Sequence, residues 1–340
     1  MPGVERVAAG REGGWYRGDC HVHSTCSHGG ELTPERLADE ARAAGLDFLA
    51  ATEHNNADTH GTWGRYAGDD LLVILGQEVT TRTGHWLALG VRPGQVVDWR
   101  YGAADKVIDR HLDEVHRGGG VCVAAHPHAP YDSGTFLYPY EGFDVVEVWN
   151  GPWSSDLPWQ ADNEAALAEW GRGLGADIRR RGGWRPAMGN SDAHLSGQIG
   201  VPHTVVQAEE LSTDAVLAGI RAGRSWIAGS ADVELSFTVS AGAGAGAGAG
   251  TGAQRVGVGG QLESCGAPVV ARVGVRGVPS GVVSFHTGAG KVHVASLPAG
   301  GVGAVEWHTG APESEFIRVE VRHPGPGGRM AALSNPVTLL

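Results

Sequence analysis

The sequence predicts an α/β protein: a mostly parallel sheet with helices outside it, on the plan of a β/α barrel, followed by a small antiparallel β-sandwich. Three observations predict this. Short, continuously apolar runs alternate with helix-period segments from about residue 15 to about 230, and strands apolar on both faces belong in parallel sheets covered on both sides. Nearly every one of those runs ends in His, Glu, Asp or Asn. In a β/α barrel the loops at the C-terminal strand ends converge on one mouth, where such residues meet. Beyond about residue 232 the pattern changes to period-two alternation broken by Gly and Pro, which marks antiparallel strands. The expected domains are therefore 1–231 and 232–340.

The elements follow in order. "GDCHVHSTCSHGG" (18–30) packs His21, His23 and His28 into eight residues. "TPERLADEARAAG" (33–45) reads as a helix, with Thr33 as cap, Pro34 in the first turn and Gly45 as terminator. "LDFLAATEHNN" and "LLVILGQEVTT" are strands that run into Glu53–His54 and Glu78, and "HWLALGV" is another. Residues 104–117 place Val107, Ile108, His111, Leu112 and Val115 on one helical stripe, stopped by Gly118–Gly120. "VCVAAHPHAP" ends in His126 and His128, and "FDVVEVWNG" ends in Glu147 and Asn150. A helix over about 160–181 precedes "RPAMGNSDAH", which ends in Asp192 and His194. "HTVVQA", a helix over about 213–222 and "SWIAG" complete the first domain. In the second, "VELSFTVS" opens the sandwich, and the Ala/Gly-rich run at 241–250 is a loop with no side chains to bury.

Composition narrows the function. Lys+Arg 26 against Asp+Glu 38 leaves a net charge of −12, so the chain is a poor binder of phosphate backbones, and a nucleic-acid scaffold is not expected. No segment approaches the roughly 20 apolar residues of a membrane span, and the first twenty lack the apolar core of a secretion signal. The expectation is a cytoplasmic protein with no membrane partner. Cys20, Cys26, Cys122 and Cys265 form no CxxC pair. There is no G-x-S-x-G nucleophile motif and no phosphate-binding P-loop. The Gly repeats within 242–260 are low-complexity sequence.

The strand-end residues carry the chemistry. His21–His23 and Asp192–His194 are i, i+2 pairs, which point the same way from a strand and can approach one ion together. Imidazole nitrogen with carboxylate oxygen suits zinc, manganese or iron. A lone histidine at a strand end is more often a hydrogen-bonded rim residue than a ligand. Five strand ends with the same class of residue point instead to a polynuclear centre.

These stretches resemble the motifs of the PHP (polymerase and histidinol phosphatase) superfamily. "GDCHVHSTCSHGG" resembles its first motif, "GLDFLAATEHNN" its second, "AAHPH" its third and "GNSDAH" its fourth. "GQEVTTRTGHWLALG" and "ALSNPVTLL" are most similar to the CehA/McbA branch. The resemblance implies a distorted (β/α)7 barrel holding two or three divalent transition-metal ions (Zn, Mn or Fe). It implies that His21 and His23 share one ion with Glu78 and Asp192, and that Glu78 bridges to a second held by His126. His28, His54 and His194 would hold a third. Two positions depart from the usual motifs: His28 stands where the first usually has Asp, and Glu53 where the second has Asp. Glu53 is expected to orient a ligand imidazole rather than bind an ion.

The expected activity is hydrolysis of a small phosphate mono- or diester by a water activated between the ions, with Glu78, Asp192 and His194 as the catalytic set. His85 is expected as a further ligand or a substrate contact. Arg82, Arg65, His128 and Asn150 are candidate substrate contacts. Trp63, Trp86, Trp99, Trp149, Trp153 and Trp159 either pack loops or form an aromatic wall for a ring-bearing leaving group. A carboxylic ester or carbamate hydrolase on the same site is the alternative enzyme, and a non-catalytic binding protein is the alternative of another class.

Overall fold

The computed structural model describes residues 12–241, 254–264, 267–309 and 315–340. Cys265 and all but the first residue of the expected Ala/Gly-rich loop lie outside these. The chain divides into two compact units, Met1–Ala168 with Arg185–Arg221, and Glu169–Trp184 with Ala222–Leu340.

The first unit runs β1 (Glu12–Val22), α1 (Pro34–Ala43), β2 (Phe48–Ala51), α2 (His60–Trp63), β3 (Leu72–Thr81), β4 (Gly84–Leu89), α3 (Ile108–Arg117), β5 (Val121–Ala124), β6 (Val145–Asn150), the start of α4 (Asn163–Arg181), β7 (Ala187–Asn190), β8 (His203–Glu210) and α5 (Thr213–Arg221). Its strands lie in the order β8-β1-β2-β3-β4-β5-β6-β7. The joins β1–β2, β2–β3, β5–β6 and β6–β7 are parallel. The joins β8–β1, β3–β4 and β4–β5 are antiparallel. The sheet curls until the end of β1 meets the segment after β7, where the His23 amide donates to the Ala193 carbonyl at 2.9 Å.

The regular strand–helix alternation of a (β/α)7 barrel is broken in three places, one of them between β7 and β8, where no helix intervenes and β8 runs antiparallel to β1. β3 turns straight into β4, because two residues cannot form the crossover that a parallel join requires. Gly84, at φ 125, accepts at its carbonyl from the Thr81 hydroxyl and closes that turn. Between β5 and β6 the chain runs as turns and loop, with no helix.

Both faces of the sheet are buried, which explains its continuously apolar strands. In β2, Phe48 and Ala50 join the core that includes Val206 and Leu217, while Leu49 and Ala51 pack with Leu37 and Ala41 of α1. In β4, Leu87 and Leu89 face the first core, while Trp86 and Ala88 meet Ile108, Leu112 and Val115 of α3. α1 starts where Thr33 Oγ1 accepts from the Arg36 amide. α3 begins at Ile108, later than expected, after a 3-10 turn over Ala103–Asp105. α5 lies so close to β8 that a Cβ at Gly219 would sit 2.5 Å from the Gln207 carbonyl oxygen.

The second unit contains β9 (Ser225–Ala228), β10 (Glu234–Ala241), β11 (Arg255–Gly257), β12 (Gln261–Leu262), β13 (Val269–Arg276), β14 (Val282–Thr287), β15 (Gly290–Ser296), β16 (Gly303–Thr309), β17 (Phe316–Arg322), β18 (Met330–Ser334) and β19 (Val337–Leu339). One sheet is the antiparallel set β11-β10-β13-β16. The rest form the row β12-β19-β17-β18-β9, with β14 also on β17 and β15 on β14; β12–β19 is its parallel pair. β10 buries alternate residues, the period-two pattern of a one-sided strand.

Candidate metal centre

The site is built around one buried carboxylate at the middle of β3. Glu78 is 1% exposed and has five imidazoles about it. Its Oε1 lies 3.5 Å from His21 Nε2, 3.0 Å from His85 Nδ1 and 3.2 Å from His126 Nε2. Its Oε2 lies 3.5 Å from His23 Nε2 and 2.9 Å from His54 Nε2. Asp192, after β7, closes the other side, with Oδ1 at 3.4 Å from His21 Nε2 and 3.1 Å from His23 Nε2. Four triads of donor atoms, each within 4.8 Å of one another, share these residues: His21–His23–Glu78, His21–His126–Asp192, Glu78–His85–His126 and His23–His54–His194.

The imidazoles at and just past the end of β1 are each aimed by a partner behind them. His21 Nδ1 donates to Glu147 Oε1 at 3.1 Å. His23 Nδ1 lies 3.3 Å from the Ser27 hydroxyl, which itself donates to Glu53 at 2.5 Å. Both rings therefore turn Nε2 toward the centre, as a ligand imidazole must. Glu53, expected to orient an imidazole, reaches His23 through Ser27, and it also accepts from the Ser24 hydroxyl. Two residues hold left-handed backbone to reach the site, His126 at φ 26 and Asp192 at φ 52. That conformation is costly for non-glycine residues and collects at functional sites.

Electrostatics and unmet hydrogen bonds point the same way. Burial opposes the charge on Glu78, yet His21, His85 and His126 hold its pKa well below the carboxylate range. Asp192 is held low in the same way by His21 and His23. Burial pushes His23 down to about 3, which keeps its ring neutral. His21 goes the other way: burial disfavours its cation, but Asp192, Glu147 and Glu78 outweigh that and raise its pKa. His21 Nε2, His23 Nε2 and Asp192 Oδ1 are buried with no hydrogen-bond partner. Unmet buried donors and acceptors are expensive, and these three converge on one point. Imidazole and carboxylate donors so arranged fit divalent transition-metal ions.

Other sequence-stretch candidates fall differently. His28 is exposed on the cavity wall and stands outside the donor triads. The turn after β1 sends Ser27 inward, against Glu53 and the His54 amide, and so leaves the next side chain outside. His23 takes the place beside His54 and His194 that was expected for His28, with ring centroids 4.2 and 4.3 Å away. Arg82 is paired with Asp105 at 2.6 Å. Among the described residues, neither Arg82, Arg65 nor His128 lines the cavity. Asn150 does line it, and donates to Glu147 at 3.1 Å and to Asp192 at 3.3 Å. Of the six tryptophans only Trp159 lines it; Trp63, Trp86, Trp149 and Trp153 are buried packing residues.

Sequence reasoning missed three supports. Glu147 was visible as a strand-end acid, but nothing local marked it as the holder of His21. Asp19 is fully buried and accepts from the Ser191 hydroxyl, the Gly200 amide and the His21 amide, which ties β1 to the loop bearing Asp192. Tyr131 lines the cavity with its ring 6.0 Å from that of His85 and 6.4 Å from that of His126. The cavity has a volume of about 1000 Å³.

Comparison with known proteins places this geometry. A family model described as PHP-associated matches residues 185–225, the stretch that supplies Asn190, Asp192 and His194. None of the curated proteins matches the sequence. Over 99% of both chains the fold is similar to that of a two-domain protein from Bacteroides vulgatus containing a predicted PHP-like metal-dependent phosphoesterase, at 15% identity and a TM-score of 0.52. PsfC from Pseudomonas syringae is similar over 60% of this chain and 88% of its own, at 18% identity and a TM-score of 0.45. Endonuclease Q, in complex with a 27-mer duplex carrying an abasic lesion, is similar over 62% of this chain and 56% of its own, at 15% identity and a TM-score of 0.41. The family-model match is confined to residues 185–225, and the likeness to the Bacteroides protein is one of fold. Among the described residues no helix is long and apolar enough to cross a membrane.

Proposed function

We propose that this chain is a metal-dependent phosphoesterase acting on a small phosphate ester. The observation that carries the reading is the convergence of His21 Nε2, His23 Nε2 and Asp192 Oδ1, buried and unpartnered, beside a carboxylate ringed by five imidazoles. His21, His23, His54, Glu78, His126, Asp192 and His194 would hold two or three ions of the Zn, Mn or Fe type. His85, bonded to Glu78 and grouped with His126, joins them as a ligand. The resemblance of "GQEVTTRTGHWLALG" to the CehA/McbA branch supports placing the chain near that group.

Bound ions would supply Lewis acidity and a water acidified toward neutrality. The chain's own residues do the rest. Glu147 and Ser27 keep the Nε2 atoms of His21 and His23 facing inward. Asn150 donates to Asp192 Oδ2, which fixes that carboxylate and leaves Oδ1 toward the centre. The imidazoles around Glu78 and Asp192 outweigh burial and favour their ionised form, which suits both carboxylates to the ligand role. His194 has Nδ1 committed to the Asp192 carbonyl at 2.9 Å, so only Nε2 remains. Its place beside His23 and His54 supports a ligand role for that atom, and His28 remains as a cavity-wall contact for substrate.

The test is metal analysis of the purified full chain together with assays of His21→Ala and Asp192→Ala. Each variant should lose at least about 10³-fold in kcat/KM, because removal of a ligand disables the Lewis-acid centre, while circular dichroism stays native. Near-normal turnover by either variant with metal present would refute the assignment.

A further inference from the structure

We propose that this cavity selects a phosphodiester monoanion carrying an apolar, ring-sized ester group over a phosphomonoester dianion. The inference rests on the phosphoesterase reading above and narrows it to a substrate class.

The first observation is charge. Among the described residues lining the cavity there is no lysine or arginine, while Glu78 and Asp192 both face it. Arg82, a candidate phosphate cation from sequence, is spent on Asp105. Enzymes that bind a dianionic phosphate ordinarily offer guanidinium or ammonium donors to it. Here the wall offers neutral donors such as Asn150, Gln160, Ser133 and the hydroxyl of Tyr131. A diester brings one negative charge to the centre, where bound ions would meet it; the second charge of a monoester would find imidazoles on the wall but neither lysine nor arginine.

The second observation is an apolar lip. Leu157, Trp159 and Leu195 line the cavity while 45%, 60% and 41% exposed. Large apolar side chains gathered at the mouth of a polar site mark a surface built to be covered. The lip is also anchored. Gln160 Nε2 donates to the Asn150 carbonyl at 2.7 Å, and Asn163 Nδ2 donates to the carbonyls of Asn150, Pro152 and Trp153. On the other side, Gln198 Oε1 accepts from the amides of His194 and Leu195, each at 2.8 Å. The lip is thus tied to the ends of β6 and β7, beside Asp192, where an ester group of a bound phosphate would extend. The reaction is hydrolysis: a P–O bond forms to water, the P–O bond to the leaving group breaks, and a water proton ends on the leaving oxygen.

Binding separates this proposal from the activity. Metal-loaded full chain is titrated with diphenyl phosphate and with phenyl phosphate, and Trp159→Ala is titrated alongside. Diphenyl phosphate should bind at least about tenfold tighter, and Trp159→Ala should weaken it about fivefold or more, as loss of one buried aromatic contact implies. Inorganic phosphate, titrated alongside as a ring-free anion, should change less than about twofold under Trp159→Ala, since it has no ring to reach the lip. Equal or tighter binding of phenyl phosphate, or no effect of Trp159→Ala on diphenyl phosphate, would overturn the inference and leave the phosphoesterase reading standing. Hydrolysis of 4-nitrophenyl acetate or an aryl carbamate, with none of bis(4-nitrophenyl) or 4-nitrophenyl phosphate, would overturn both.

Discussion

Glu147 accepts from His21 Nδ1, the His126 amide, Asn150 Nδ2 and Asn190 Nδ2, and so gathers donors from four strand ends while lying outside every donor triad. Glu147→Gln keeps the shape, removes the charge and replaces one acceptor oxygen with a donor. It should weaken metal binding about 10- to 100-fold, the usual cost of removing the group that orients a ligand imidazole. Competition with a chromophoric chelator measures this, and a change under about threefold would mean that β1 alone aims His21. At this scale the i, i+2 pairs were legible, because a strand's period is set locally. Glu147's role was not, because His21 is 126 residues away in the chain. Spacing places His28 in the motif but does not show which side of the turn it faces; the structure leaves it exposed on the cavity wall.

Four of the helices α1 to α5 were legible from period, and α1 also from its cap; the single-turn α2 carried no such signal. The β3–β4 hairpin was only half so: both strands could be read, but an apolar run looks the same in either direction when both faces are buried. The loop between β5 and β6 carried no periodic signal, yet it delivers Tyr131 to the cavity. It does so by folding that ring over its own turn, where a Cβ on Gly134 would lie 2.2 Å from it. Gly134→Ala should therefore displace Tyr131, at an overpacking cost of about 1–3 kcal/mol. Tyr131→Ala should relieve that cost, so the double variant should be less destabilised than the sum of the singles. Urea unfolding of the three variants checks this, and strict additivity would show that the ring moves freely.

For the whole molecule, acid should be the weak side. His203 in the first unit and His286 in the second are buried, and burial pushes each ring down to about 4; Arg318 adds to the effect on His286. Unfolded, either ring takes a proton near 6.5. The unfolded chain thus binds more protons between those values, and stability falls as pH drops from about 6.5 toward 4, by at most about 3 kcal/mol per ring. His203 Nε2 is buried without a partner, so protonation there has nowhere to donate. His203→Asn and His286→Asn should flatten the profile of unfolding free energy against pH; an unchanged slope in both would disprove the account. The change of period near residue 232 was legible, but the grouping of Glu169–Trp184 with the C-terminal unit had no signal in the sequence. The curl that brings β7 back to β1 was not legible either, since no local pattern encodes which strands meet last. That late meeting has a consequence for biosynthesis. The eight positions proposed as ligands run from His21 to His194, and the central pair of carboxylates, Glu78 and Asp192, is completed only near the end of that span. A chain emerging from the ribosome therefore presents β1's histidines long before Asp192 exists. On the proposed reading, tight metal capture would wait until most of the first unit has been made, and the ion would be chosen by a nearly finished fold and not by a growing peptide.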